Sequence, residues 1–432
     1  MTLLRKTLRF FAVQCRNCAS KSSPNVQFTA STVDIDGRKF NRDKWTNVNP
    51  NILNYLNRNL HLKPGHPLCL LRENIISFMY KSFPNHAGNP IFSVYDRLNP
   101  IVTTKQNFDS LLIPQDHPSR TPSDCYYLNK DFILRGHTSA HQEELIASGL
   151  DSFVVMGDVY RRDEIDASHF PVFHQAEGVR LFAKHQLHDI DKDNIELFED
   201  GKRTPQKQEY HTELTSNKLQ HDLKTCLTKL VHHLFGSDVE TRWTETFFPF
   251  THPSFELEVK FQDKWLELLG CGVIEQQILY NAGVPDKVGW AFGLGLERIA
   301  MRLYEIPDIR LFWSNDSGFL SQFQGATPNQ KNHLQGTSVS QYPQCYNDVS
   351  FWLPDGGINS SDLYEIVRGV GGDIVEQVRL VDEFVHPKTK KRSQCYRIIY
   401  RHMERTLNQA EVGEVHNRIT AQLASDLGVT LR

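Results

Sequence analysis

Two neighbouring segments, residues 152–162 and 172–182, read as β-strands joined by a short polar loop that contains Asp166, Ser168 and Pro171. A second such pair occupies 255–271, where Phe255-Glu-Leu-Glu-Val and Trp265-Leu-Glu-Leu-Leu flank Gln262-Asp263. Strands joined this closely can only pair antiparallel, because a parallel partner needs a crossover of roughly a dozen residues or more. The expected fold class is α+β, an antiparallel sheet flanked by helices, and a doubly wound nucleotide fold is excluded. Helical periodicity surrounds these pairs. It runs through 45–83, with Ile52, Leu53, Leu56 and Leu60 and then Ile75, Ile76 and Met79. It returns in 206–235, and again in 295–304 directly after Gly293 and Gly295.

A chain of 432 residues exceeds what one core usually holds, so a second folded unit is expected. Residues 324–341 are polar, aperiodic and rich in Gln, Asn, Ser and Gly, which marks a linker between a main domain over 34–323 and a second domain over 342–432. The second domain reads as strand 346–353, helix 361–370, strand 374–384, turn 386–391, strand 393–402 and helix 410–426, with room for a last short strand. That βαββαβ order is ferredoxin-like.

The first 33 residues carry Arg5, Lys6, Arg9, Arg16 and Lys21 among Leu3, Leu4, Leu8, Phe10 and Phe11, with no acid before Asp34. This basic, amphipathic, acid-poor pattern is that of a mitochondrial transit peptide, which points to the matrix. The whole chain has a formal charge of −3, and removing those cations makes it more acidic, so nucleic acid cannot be held by a generally basic surface. No apolar run approaches the roughly 18 residues of a membrane span. The cysteines are scattered, and Cys15-x-x-Cys18 lacks a second Cys or His pair for zinc.

Strand alternation places Phe173, Gln175 and Glu177 on one face of the second strand, an aromatic, an amide and an acid together. On the preceding strand Val159 and Arg161 alternate with Asp158, Tyr160 and Arg162, which brings one Arg toward that face. A cation, a flat ring and an ammonium acceptor suit a site for ATP and an amino acid. Read alone, the same alternation also describes a solvated strand face.

Gly157-Asp-Val-Tyr-Arg-Arg-Asp through Phe173-His-Gln-Ala-Glu-Gly resembles motif 2 of class II aminoacyl-tRNA synthetases, in the form found in phenylalanyl-tRNA synthetases. Trp290-Ala-Phe-Gly-Leu-Gly-Leu-Glu-Arg298 is similar to their motif 3, and Phe248-Pro-Phe250 to their phenylalanine pocket. The likeness runs from about His137 to the C-terminus. Residues 342–432 resemble the family's ferredoxin-fold anticodon-binding domain, including Asn347-Asp-Val-Ser-Phe-Trp and Tyr396-Arg-Ile-Ile-Tyr-Arg. Asp163 stands where the family motif has Glu. No segment resembles motif 1, which builds the usual class II dimer, so a monomer is expected.

The resemblance implies ATP-dependent attachment of phenylalanine to mitochondrial tRNA(Phe) through an adenylate. Arg161 would grip the α-phosphate of ATP, Phe173 would stack on adenine, His169 would lie along the phosphates, and Arg298 would meet the nucleotide from the other side. His137, Ser139, Gln175 and Glu177 would surround the amino acid's ammonium and carboxylate. Phe248, Phe250, Ala291 and Phe292 would enclose its ring. Glu267 is a candidate for ATP or its Mg²⁺, since oxygen ligands suit magnesium that bridges phosphates. In the second domain Lys388, Lys390, Lys391 and Arg392 form a basic turn, and Arg397 and Arg401 lie beside Tyr396 and Tyr400, a composition suited to phosphate contact and base stacking.

Overall fold

The computed structural model describes residues 24–191, 195–261, 263–314, 317–325, 340 and 342–432. Residues 1–23 of the expected leader and most of the expected linker lie outside these residues. The described chain opens with a three-stranded meander, β1 (Val26–Phe28), β2 (Thr32–Ile35) and β3 (Arg38–Asn41). Asp36 and Gly37 link β2 to β3, both at positive φ (54° and 86°), the geometry of a two-residue hairpin turn. Val33 pairs with Phe28 and is fully buried, so the expected leader boundary at residue 33 falls inside a folded hairpin.

The helical region expected over 45–83 is broken into Pro50–Leu53, a 3-10 turn at Leu60–Leu62, and α1 (Pro67–Ser82). Asn57, Asn59 and Gly65 all adopt positive φ, which a continuous helix cannot contain. Pro67 starts α1 at a position where its missing N–H costs nothing.

β4 (Ser93–Tyr95) follows, then β5 (Ile101–Thr103) and β6 (Phe132–Leu134), which pair as a small separate sheet. The two strand pairs of the sequence appear as β7 (Ser152–Tyr160) with β8 (Val172–Phe182) and, after α2 (Glu213–Phe235) and β9 (Thr241–Phe248), as β10 (Thr251–Phe261) with β11 (Lys264–Ile274). β12 (Val288–Gly295) runs straight into α3 (Leu296–Leu303). The main sheet has the order β4-β7-β8-β12-β11-β10-β9, antiparallel throughout except between β4 and β7. α2 begins at Glu213, capped by Thr212, and not at 206. The preceding residues serve as a strut: buried Gln208 donates to the carbonyls of His252 (2.9 Å) and Ile274 (2.8 Å) and accepts from the Gln276 amide (2.8 Å).

Alternation divides the sheet's side chains between two cores. Val154, Met156, Ala176, Trp290, Phe292 and Leu294 join α1, α2 and α3 on one face. Phe153, Val155, Val179 and Ala291 join Phe108, Ile133 and Ile278 on the other. The second domain comprises β13 (Cys345–Trp352), α4 (Ser360–Gly371), β14 (Val375–Val385), β15 (Arg392–Tyr400), α5 (Gln409–Leu427) and β16 (Thr430–Leu431), with sheet order β14-β15-β13-β16. It is the expected βαββαβ unit with its own core of Val349, Phe351, Leu363, Val367, Ile398, Ile419 and Leu423.

Beneath the β7–β8 pair lies a buried cation, Arg135, 1% exposed. Its guanidinium donates to Asp158 Oδ1 (2.9 Å) and to the Asp158 carbonyl (2.7 Å), and Tyr160 donates to the other Asp158 oxygen (2.5 Å). Gly157 has no side chain because Arg135 fills that space. Removing one member of a buried pair strands the other's charge. Asp158→Ala is therefore expected to destabilise the main domain by about 3–5 kcal/mol in chemical denaturation. A loss below about 1 kcal/mol would mean that Arg135 is compensated elsewhere.

Candidate active site

A cavity of about 750 Å³ opens on the second face of the sheet, lined by β8, β12, β11, the turn after β9 and the segment 136–139. At one end Gln175 and Glu177 project from β8. Thr138 donates its backbone N–H to Gln175 Oε1 (3.3 Å), and the Ser139 and Thr138 hydroxyls donate to Glu177. Burial pushes the Glu177 carboxyl up to about 7, against the pull of those two hydroxyls. His137 donates Nε2–H to the Asn107 carbonyl (3.0 Å), and burial together with the Arg161 charge depresses the ring to about 3, so it is neutral.

The apolar end is built by the tight turn between β9 and β10. Phe248 and Phe250 stack nearly parallel there, ring centroids 5.7 Å apart and planes 13° apart. The floor is made of small residues: Ala291 and Gly293 on β12 stand opposite Gly272 and Gly270 on β11. Phe292, expected in the pocket, is among the residues that border the cavity, but alternation turns its side chain to the opposite face, where it is 2% exposed and packs near Trp290. Its side chain therefore belongs to the core.

Arg161 also lines the cavity, donating Nε–H to the Gly136 carbonyl (2.8 Å) with its guanidinium 5.3 Å above the Phe173 ring. Glu267 lines the cavity near Arg298, which donates to the Glu267 carbonyl (3.2 Å) and stands 4.0 Å from its carboxylate. Burial first, then Glu256 and cross-strand Glu258, push the Glu267 carboxyl up. A carboxyl crowded by neighbouring acids suits a cation. His169, expected along the phosphates, faces the neighbouring cleft and is tied to Asp166 (2.9 Å). With Glu164 and Asp166 it forms the group compact enough to hold a metal ion among the described residues, away from Glu267.

The family described as tRNA synthetases class II core domain (F) matches residues 89–200 and 213–323, and the ferredoxin-fold anticodon binding domain matches 340–432. Mitochondrial phenylalanine–tRNA ligase of Mus musculus is 54% identical over 401 residues, 92% of this chain and 88% of that protein. The probable mitochondrial enzyme of Drosophila melanogaster is 49% identical over 448 residues, 99% of this chain and 97% of its own length. The chloroplastic/mitochondrial enzyme of Arabidopsis thaliana is 44% identical, covering 93% of this chain and 88% of its own. The chain belongs to the phenylalanine–tRNA ligase family.

In this member of the family the second domain is docked over the cavity mouth, which Ser360, Ser361 and Tyr364 of α4 help to line. Arg162 pairs with Asp362 (3.0 Å), Tyr126 donates to Glu365 (2.8 Å), and Arg368 donates to the Asp163 carbonyl (2.6 Å). Ile165, from the β7–β8 loop, is buried in the second domain's core, and its carbonyl accepts from the Val378 N–H (3.0 Å). These contacts were not readable from linear order, because each joins residues 200 or more positions apart. Asn107 and Gly270 were missed for a different reason: one sits in an irregular segment, and the other contributes only space.

Lys388, Lys390 and Lys391 are exposed on their turn, and exposed Arg392 is 4.0 Å from Glu383. Arg397 is held by both Asp348 oxygens (2.7 and 2.8 Å) and lies over Tyr346. Arg401 departs from the expected nucleic-acid surface. It pairs with Glu376 (2.7 Å), which also neighbours Arg310 of the main domain (3.9 Å).

Only the ionised form of Glu177 can accept an ammonium, and its carboxyl titrates at about 7. As pH falls through that value the acceptor is lost, while ammonium binding itself favours ionisation. The KM for phenylalanine is expected to rise toward tenfold per unit as pH is lowered from about 8 to about 6, with a flat profile in Glu177→Gln. A wild-type KM independent of pH over that range would remove Glu177 from ammonium binding.

Proposed function

We propose that this chain attaches phenylalanine to mitochondrial tRNA(Phe) in two steps within the one cavity. In the first, the phenylalanine carboxylate attacks the α-phosphorus of ATP, and the bond to pyrophosphate breaks to leave phenylalanyl-adenylate. In the second, a hydroxyl of the terminal tRNA ribose attacks the carbonyl, and AMP leaves. The observation that carries this reading is the arrangement along the cavity: an aromatic slot at one end, a buried ammonium acceptor beside it, and Arg161 beyond.

Glu177, with Gln175, Ser139 and His137, holds the ammonium and carboxylate. Phe248, Phe250 and Ala291 enclose the ring. Arg161 stabilises charge that builds on the α-phosphate, and little proton movement is required. Phe173 offers a face for adenine beneath Arg161, and Arg298 meets the nucleotide from the β12–α3 junction. Glu267 with Glu256 fits Mg²⁺, because their mutual repulsion is relieved by a cation whose other ligands come from phosphate oxygens. That ion would supply charge neutralisation at the leaving pyrophosphate.

The residues before β1 are read as a leader addressed to the mitochondrial matrix, ending earlier than the hairpin that contains Val33. For tRNA, the open face of the second domain's sheet offers Tyr346, Trp352, Phe384, Arg397 and Arg432, with the Arg432 guanidinium 5.2 Å from both the Trp352 and Phe384 rings. Aromatic rings interleaved with arginines suit unstacked bases, and the exposed basic turn suits phosphates. Because α4 narrows the cavity mouth, the tRNA end reaches the carbonyl only after the second domain leaves its docked position.

Arg161→Ala is expected to lower phenylalanine-dependent ATP–pyrophosphate exchange about 10²-fold. Exchange within a few-fold of wild type would overturn the role given to Arg161. Trp352→Ala should raise the KM for tRNA about tenfold while leaving pyrophosphate exchange unchanged, the effect of losing one stacked base. Unaltered charging would place the anticodon elsewhere on the domain.

A further inference from the structure

Gly270 sits in the middle of β11, opposite Glu256 of β10 and Gly293 of β12. Its backbone is ordinary strand, since its φ is not positive, so conformational freedom does not explain a glycine there. Glycine inside a strand weakens it and often marks the close approach of another group. At Gly270 that group is an aromatic ring. A Cβ added there would lie 2.7 Å from Cζ and 3.0 Å from Cε2 of Phe248.

Phe248 belongs to β9, two strands away from β11 in the sheet order. Strands are spaced by about 4.8 Å, so the ring must cross β10 to lie against Gly270. It does so in a slot that is closed on its far side by Phe250, stacked at 5.7 Å. Gly293, the direct cross-strand partner, behaves differently. It lines the same cavity, but a Cβ added to it would meet nothing within 4 Å. Gly293 therefore borders the open space where a substrate ring would lie, whereas at Gly270, which also lines the cavity, the Cβ position is taken by the Phe248 ring.

We infer that Gly270 is a positioning residue that determines specificity for the amino acid ring: it lets Phe248 lie down on the sheet and thereby sets the width of the slot. A side chain at 270 lifts Phe248 toward the floor space of Ala291 and Gly293. The inference rests on the reading of this cavity as the phenylalanine site. It adds a residue that acts only through Phe248.

The test is steady-state ATP–pyrophosphate exchange by the full chain, with phenylalanine and ATP varied separately. Gly270→Ala is expected to raise the KM for phenylalanine about tenfold or more, as a displacement near an ångström does at a site, with the KM for ATP within about twofold and kcat within a few-fold. Phe248→Leu removes the ring atoms that the new methyl would meet. In that background Gly270→Ala should add nothing, so that the double variant matches Phe248→Leu alone. An unchanged KM for phenylalanine in Gly270→Ala would overturn the inference, as would equal rises in both KM values or an effect that persists in the Phe248→Leu background. If Gly270→Ala does not fold, the double variant decides. Recovery of folding supports the contact, and failure shows that 270 rejects a side chain for a reason other than Phe248. Absence of phenylalanine-dependent exchange in wild type would instead sink the proposed function and leave the packing relation between residues 248 and 270 as it is.

Discussion

The register of β8 between β7 and β12 is the constraint on which the site depends. It places Gln175 opposite Gly157 and Glu177 opposite Val155 on one side, and Glu177 opposite Gly293 on the other. A slip of one residue would turn Gln175 and Glu177 into the helix-covered core and bring Ala176 and Gly178 to the cavity. The register is enforced from both faces. On the core side His174 is bonded through its backbone N–H and its ring to Glu297 at the start of α3, both at 2.7 Å. Phe292 occupies the space left by Gly178. On the cavity side the hydroxyls of Ser139 and Thr138 fix Glu177.

The charges follow from the same arrangement. An uncompensated buried carboxylate is costly, and Glu177 has hydroxyl donors and no fixed cation, so its carboxyl rises to about 7. An ammonium bound there, as proposed, would supply the missing positive charge. Arg135, only a strand away, takes the opposite course: Asp158 neutralises it, and it braces the backbone. The fold thus separates a satisfied buried pair from a half-satisfied buried acid.

The strands that carry alternating side chains were legible, as were all the elements of the second domain, because period and turn chemistry agree over those stretches. β12 was less so. Trp290 to Gly295 mixes large residues with three small ones because one face packs against α2 and the other must leave room for a ligand. Phe292 borders the cavity, yet its side chain joins the core: motif likeness names a neighbourhood, while alternation decides which face a side chain joins. The partners of His169 and Arg401 were not legible: the structure sets them beside Asp166 in the same loop and Glu376, which also neighbours Arg310 of the main domain. The meander β1–β3 was partly hidden beneath a leader pattern, although its Asp36-Gly37 turn is a recognisable hairpin signal.

On the proposed reading, the docked second domain links the two chemical steps. Its grip falls on residues 162–165 of the β7–β8 loop, the segment immediately after Arg161. The contacts are unequal in strength. Asp362 remains one-third exposed, so its pair with Arg162 is worth little in water, whereas Glu365 is largely buried between Tyr126, Asn49 and Arg368. Ile165 adds apolar burial that is lost on separation. Small substrates need only the cavity, but a polynucleotide end needs the mouth that α4 narrows. On the proposed reading, the interaction free energy of tRNA with the sheet face has to exceed that of the Glu365 and Ile165 contacts before the tRNA end can enter the cavity.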